Sequence, residues 1–257
     1  MKMFCLELST IRHCNFEKAQ LINSIGIKFV FISPGTFKMG SPDEEYGRYN
    51  DETYHYVTLT KGFLMATTAV TQYQWERVIG NNPSKFMKKG KKYPVENVSW
   101  NDVQKFIKKL NKMEQTDSYC LPTEAEWEYA CRAGSTSRYC FGSDEKMLDE
   151  YAWFRKNFDE MTYPVKQKKP NAWGLYDMHG NVWEWCEDWY GDYPNEHVTD
   201  PIGPNGGSNR VIRGGCWSFL TRNFRSANRG MSKPSNRNFK IGFRIIRRID
   251  YGSSDLI

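Results

Sequence analysis

Seven cysteines are the first residues of this chain that could do chemistry: Cys5, Cys14, Cys120, Cys131, Cys140, Cys186 and Cys216. Their number is odd, no two form a C-x-x-C pair, and the spacings match no zinc signature, so they read as reduced and mostly buried thiols. His179 stands alone beside Gly180. No Ser/His/Asp set at a recognisable motif spacing accompanies it, and it reads as structural. Trp183, Trp185 and Trp189 nearly alternate and read as core. The net charge is +6, yet residues 213–248 carry ten Lys and Arg and no acid, which leaves −4 on the rest of the chain. Such a block suits nucleic acid or an acidic ligand. Arg213 and Arg244, however, sit in strand-like runs and are expected to pair with carboxylates elsewhere. Lys88, Lys89, Lys91 and Lys92 surround Gly90 without interleaved aromatics, a solvated loop rather than a nucleic-acid site, and no nucleic-acid partner is expected.

Three helix starts can position such residues. Thr71 and Gln74 form a capping box with Val70 and Trp75 as staple, and Gly80 ends that helix. Ser99 and Asp102 open a second, whose Val103, Phe106, Ile107 and Leu110 make one apolar face. Thr123 and Glu126 open a third, which Gly134 is expected to end. Strands are expected at residues 28–33 and 36–39, joined as a hairpin by Ser33-Pro34-Gly35, and at 57–65. Residues 211–213 and 242–249 look like paired late strands. Between about 171 and 241 the chain is long, irregular and rich in Gly, Asn, Pro and Trp. One α+β domain with short helices and a large irregular half follows.

Composition narrows the class. The chain has 257 residues, 39% hydrophobic and 26% charged, the balance of a soluble globular domain. No apolar run approaches the roughly 18 to 20 residues of a membrane span. No Gly-rich phosphate loop occurs. The N-terminus, MKMFCLELSTIRHC, has no proper apolar stretch, so no signal peptide is read there.

Six segments together resemble the formylglycine-generating enzyme, or sulfatase-modifying factor, family. They are residues 29–41 (FVFISPGTFKMGS), 94–102 (PVENVSWND), 121–134 (LPTEAEWEYACRAG), 171–185 (NAWGLYDMHGNVWEW), 213–217 (RGGCW) and 241–244 (IGFR). The resemblance implies an N-terminal extension over 1–26, a domain over 27–249 and a tail over 250–257. It also implies a C-type-lectin-like fold with short helices, antiparallel strands and much irregular structure. The enzymes of the family oxidise a substrate cysteine to formylglycine with copper held by two cysteines. The positions that match those cysteines here are Phe219 and Phe224. Phenylalanine cannot ligate copper, and Cys216 is single and stands where the family usually has serine. Neither copper nor enzymatic activity is therefore expected.

The same fold is the scaffold of variable proteins of diversity-generating retroelements, the treponemal ones among them. In these a fixed frame holds hypervariable positions over the C-terminal end. The frame is matched by Arg213-Gly214-Gly215, Trp217, Arg225-Ser226-Ala227, Arg229, Pro234, Arg237 and Gly242-Phe243-Arg244. The ligand-binding positions it implies, over about 213–244, are Cys216, Ser218, Phe219, Leu220, Thr221, Arg222, Asn223, Phe224, Asn228, Gly230, Met231, Ser232, Lys233, Asn236, Asn238, Phe239, Lys240 and Ile241. Replacing either adenine of an AAC codon never yields Gln, Glu, Lys, Met or Trp. All these positions comply except Met231, Lys233 and Lys240, which need a template codon ending in A or G; Cys216 is also reached from a serine AGC codon by one adenine change. A Phe, Leu, Arg and Asn mix without helix or strand period suits an exposed binding surface, with core burial of Phe219, Phe224 and Phe239 as the alternative. The expected partner is a protein or other cell-surface macromolecule, and display at the cell surface follows from the resemblance.

Asp177, Gly180, Val182 and Glu184 fall on the positions of a calcium site in the family. Two carboxylates with carbonyls between them suit a structural Ca²⁺. The alternative is that Asp177 and Glu184 bond backbone N–H groups or nearby arginines. Trp153 stands where the family's other calcium site has an asparagine.

Overall fold

The three capping boxes set three helices. In the computed structural model, which describes residues 20–87, 90–154 and 160–249, α1 runs Gln72–Ile79, α2 Trp100–Glu114 and α3 Glu124–Arg132. Thr71, Ser99 and Thr123 each accept the N3 amide, and Gln74, Asp102 and Glu126 return the bond. Gly80 ends α1 in the left-handed region as expected. The third helix stops one residue early, because Ala133 takes the left-handed cap at φ 47° before Gly134 follows. A fourth, short helix, α4, spans Leu148–Tyr151.

The strands form three sheets. The first orders β1 (Gln20–Ile22), β2 (Lys28–Ile32), β5 (Phe63–Ala66), β12 (Ile246–Arg248) and β6 (Tyr119–Cys120). It reaches back to Gln20, into the stretch expected to be an N-terminal extension. The second joins β3 (Gly35–Met39), β4 (His55–Leu59) and β8 (Val198–Thr199). The third orders β10 (Arg229–Ser232), β9 (Arg210–Arg213), β7 (Trp183–Trp189) and β11 (Ile241–Gly242). Most pairings are antiparallel, but β4 with β8 and β7 with β11 are parallel.

Two expected pairings are corrected. Ser33-Pro34-Gly35 is no hairpin turn: β2 pairs with β1 and β5, whereas β3 crosses to the second sheet and pairs with β4. The late strands do not pair with each other either. β9 lies between β10 and β7, and β12 inserts between β5 and β6. Apart from β1, the partners lie well away in sequence, and a contiguous run carries no record of them.

The core is aromatic. Trp75 stacks on Phe106 at 5.3 Å, and Phe243 meets both edge-on. Trp185 is fully buried and donates its indole N–H to the Val98 carbonyl at 3.0 Å. Cys5, Cys14, Lys88, Lys89 and the tail from residue 250 lie outside the described residues. The five described cysteines are free, with Cys131, Cys186 and Cys216 buried.

Candidate functional site

The third sheet sends out two loops. Residues 214–228 leave β9 and return through β10, and residues 233–240 leave β10 and return through β11. The frame arginines fasten both. Arg213 donates to Glu124 at 2.9 Å and to Glu128 at 2.5 Å, and to the Ser226 carbonyl at 2.7 Å. Arg225 grips Glu52 with both Nη atoms, at 2.6 and 2.5 Å, and Glu45 at 2.9 Å. Arg229 takes Glu124 bidentately at 2.8 Å, and Arg244 takes Glu184 at 2.6 and 2.8 Å. Arg213, Arg225 and Arg244 are among the largest fully buried side chains. Burial opposes the Glu124 charge, but Arg229 and Arg213 outweigh it and hold the carboxyl below its ordinary range. The expectation that Arg213 and Arg244 pair with carboxylates is met.

Arg237 fastens the second loop. It donates to both oxygens of Asp102 at 2.7 and 2.9 Å, at the start of α2, and holds that carboxyl down at about 2. Gly214 and Gly215 turn the chain out of β9 at φ 95° and 77°. A Cβ on Gly215 would stand 2.8 Å from the Asn223 carbonyl oxygen, so this turn accepts only glycine.

Between the fastenings lie side chains that reach solvent. Leu220, Arg222, Met231, Lys233 and Asn236 are exposed. Ser218, Phe219, Thr221, Asn223, Gly230, Ser232, Asn238, Phe239 and Lys240 are half-buried. The two loops touch: Phe239 lies 6.2 Å from Trp217, and the Lys240 ammonium sits 5.5 Å from Trp217 and 5.8 Å from Phe219. Ser232, Lys233, Asn236 and Arg237 border an open hollow of about 540 Å³. A separate cleft of about 630 Å³, walled in part by Tyr193, Asp188 and Arg229, is lined by none of the variable positions.

Four positions expected on this surface are inside the protein. Phe224 is fully buried and meets Phe154 edge-on at 5.8 Å. Cys216 turns into the main core, with Ser218 Oγ 3.4 Å from its sulfur. Asn228 is buried and donates its amide to the Asn223 carbonyl at 3.0 Å, closing the first loop on itself. Ile241 is drawn in by β11, where it pairs with Trp183. For Phe224 core burial therefore holds. Phe219 and Phe239 are intermediate, each in an edge-to-face contact with a neighbouring ring.

The two copper positions carry no metal donor. Phe219 and Phe224 offer ring carbon at the two copper positions, and burial raises the Cys216 thiol, away from the thiolate a metal needs. The residues do not fit copper. The calcium positions are engaged as well. The Glu184 carboxylate accepts from Arg244 and from the Trp127 indole at 2.7 Å. Asp177 accepts the Lys166 amide at 2.8 Å, and burial pushes its carboxyl up to about 6. The Gly180 carbonyl accepts the Val182 amide at 2.9 Å. Both carboxylates and the Gly180 carbonyl thus have protein partners, as the alternative to a calcium site expects.

His179 is structural. Its Nδ1 donates to the Phe224 carbonyl at 2.7 Å and its Nε2 accepts the Cys140 amide at 3.1 Å, which fixes one neutral tautomer. Burial lowers its pKa to about 4.

Sequence reasoning missed the contributors from outside 213–244. Lys85 and Phe86 reach both loops: Phe86 meets Trp217 and Phe239 edge-on, and the Lys85 ammonium lies 3.9 Å from the Phe239 ring centre. Tyr49 lies 5.8 Å from the Arg222 guanidinium. Only folding brings these residues in. The one available signal for the frame's carboxylate partners was the acid-free basic block itself.

The model of the sulfatase-modifying factor enzyme 1-like domain matches residues 23–249. Treponema denticola variable protein 1 superposes with a TM-score of 0.82 at 31% identity, covering 90% of this chain and 99% of that one. PvdO from Pseudomonas aeruginosa gives 0.78 at 30%, with 90% and 98% covered. The formylglycine-generating enzyme of Streptomyces coelicolor is 35% identical over 180 residues, 63% of this chain and 54% of that protein. The serine/threonine-protein kinase pkn1 of Chlamydia caviae is 33% identical over 251 residues, 86% of this chain and 38% of the kinase. This chain thus spans about half or less of these two relatives' lengths.

Proposed function

For a chain that belongs to the sulfatase-modifying factor enzyme 1-like family, with its C-type-lectin-like fold, we propose a non-catalytic role. It is a ligand-binding protein whose C-terminal surface is diversified by a retroelement to meet varied macromolecular targets, displayed at the cell surface. One observation carries the reading. Four of the five frame arginines are buried and ion-paired, the fifth, Arg237, is ion-paired at the surface, and most of the positions between them reach solvent on irregular backbone. A rigid scaffold that holds exchangeable side chains is what diversification without loss of folding requires. The likeness to a variable protein supports the same reading. A near-copy of the 3′ repeat in the neighbouring DNA, differing at adenines, is the expected finding; its absence contradicts diversification.

The likeness to formylglycine-generating enzymes at 35% identity favours a second reading, an oxidase working with other residues. Phe219 and Phe224 at the copper positions speak against it. Incubation with copper and a sulfatase-motif peptide separates the two. The binding reading expects the peptide's cysteine to remain a thiol, and turnover to formylglycine overturns it.

A further inference from the structure

Two ammonium groups stand over one aromatic cluster. Phe86, Trp217, Phe219 and Phe239 meet where the two loops approach the Lys85–Met87 stretch. Phe239 lies at the centre, with Lys85 Nζ at 3.9 Å and Lys240 Nζ at 5.8 Å from its ring. Neither lysine forms an ion pair among the described residues, whereas the frame arginines all do. Neither carboxylate on the packed elements forms an ion pair with these lysines. Asp102 is held by Arg237. Glu96 is fully buried beneath the loop and accepts the Phe86 amide at 2.9 Å; the Lys85 charge acts on it through space, but the two make no ion-pair contact. Residues 213–248 contain no acid to neutralise the lysines.

Two unpaired cations over apolar rings lack one thing, an anion with an apolar flank. We infer that this face takes an acidic peptide segment, with carboxylates on Lys85 and Lys240 and an apolar side chain against Phe86 and Phe239. The inference rests on the binding reading above and names the chemistry of the partner for this variant. It also extends the face beyond the diversified stretch, since Lys85 and Phe86 lie far upstream. A nucleic acid fits less well. Base stacking needs free ring faces. Here Phe86 meets Phe239 edge-on at 85° and Phe219 meets Trp183 at 86°, and Lys85 already covers a face of Phe239.

A random-peptide display library panned on the whole chain tests this. The expected winners carry Asp or Glu beside an aromatic or aliphatic residue. Synthesised, they lose affinity about tenfold or more with the Lys85→Glu/Lys240→Glu variant and weaken with added salt. Lys85 is exposed and Lys240 half-buried, and an unchanged melting curve shows that the variant folds. Winners without an acidic excess that still lose affinity in Leu220→Asp overturn this inference and leave the binding reading standing. Winners indifferent to both variants overturn both. Displacement of the winning peptides by oligothymidine at matched charge assigns the face to nucleic acid instead and overturns the peptide partner.

Discussion

The frame and the surface it carries are a few residues apart in sequence and opposite in physics. Arg213, Arg225 and Arg244 are fully buried, and each grips at least one carboxylate brought from another part of the chain. Leu220 and Met231 are 55% and 54% exposed, in the same stretch. The difference shows how one segment can be both invariant in shape and free in chemistry. Positions whose side chain closes a charge pair across the core set the path of the loop. The exposed positions between them touch little and are available for contact with something else.

The largest break in this contrast comes from the frame. Arg225→Ala leaves Glu52 buried without its cation, and should cost about 3 to 5 kcal/mol in a urea titration or prevent folding outright. A variant with unchanged stability would remove the distinction. The second test divides the two copper-position phenylalanines. Phe224→Ala empties a fully buried site and should cost about 3 to 5 kcal/mol, whereas half-exposed Phe219→Ala should cost clearly less. Equal costs would mean that both are core.

The sequence already showed part of this. The N-caps at Thr71, Ser99 and Thr123 were legible because a capping box is closed within four residues. The hairpin at Pro34 and the late strand pair were misread because pairing is set by distant partners, β5 and β4 for one and β5 and β6 for the other. The frame arginines were legible as an uncompensated basic block, but which glutamates answer them was not. Burial of Cys216, Phe224, Asn228 and Ile241 was hidden for a related reason: irregular backbone has no period from which an inward side can be read.

A third test uses pH on the scaffold behind the surface. Burial raises the Glu96 carboxyl to about 7 from an ordinary 4.5, so the folded state holds its proton more tightly than the unfolded chain. That contribution is full below pH 4.5 and is lost as pH rises through about 7. Glu96→Gln should flatten this limb of the stability profile, read from melting temperature against pH. His179 has the opposite sign: its share is present above pH 6.5 and is lost as pH falls toward 4. Smaller still, Leu220→Asp and Arg222→Glu should change stability by no more than about 0.5 kcal/mol. The smallest expected effect is that of calcium. With Glu184 held by Arg244 and Trp127, calcium and chelator should give the same melting temperature, and a clear upward shift with calcium would favour the calcium site over the protein partners.

Deep sequencing of the gene's 3′ end across a population of cells tests the central claim most directly. The account predicts variation at adenine-derived codons of surface positions such as Leu220, Arg222, Asn223 and Asn236, with the codons of Arg213, Arg225, Arg229 and Arg244 unchanged. A single fixed sequence over 213–244, or variation that strikes the frame arginines as often as the residues between them, would contradict it.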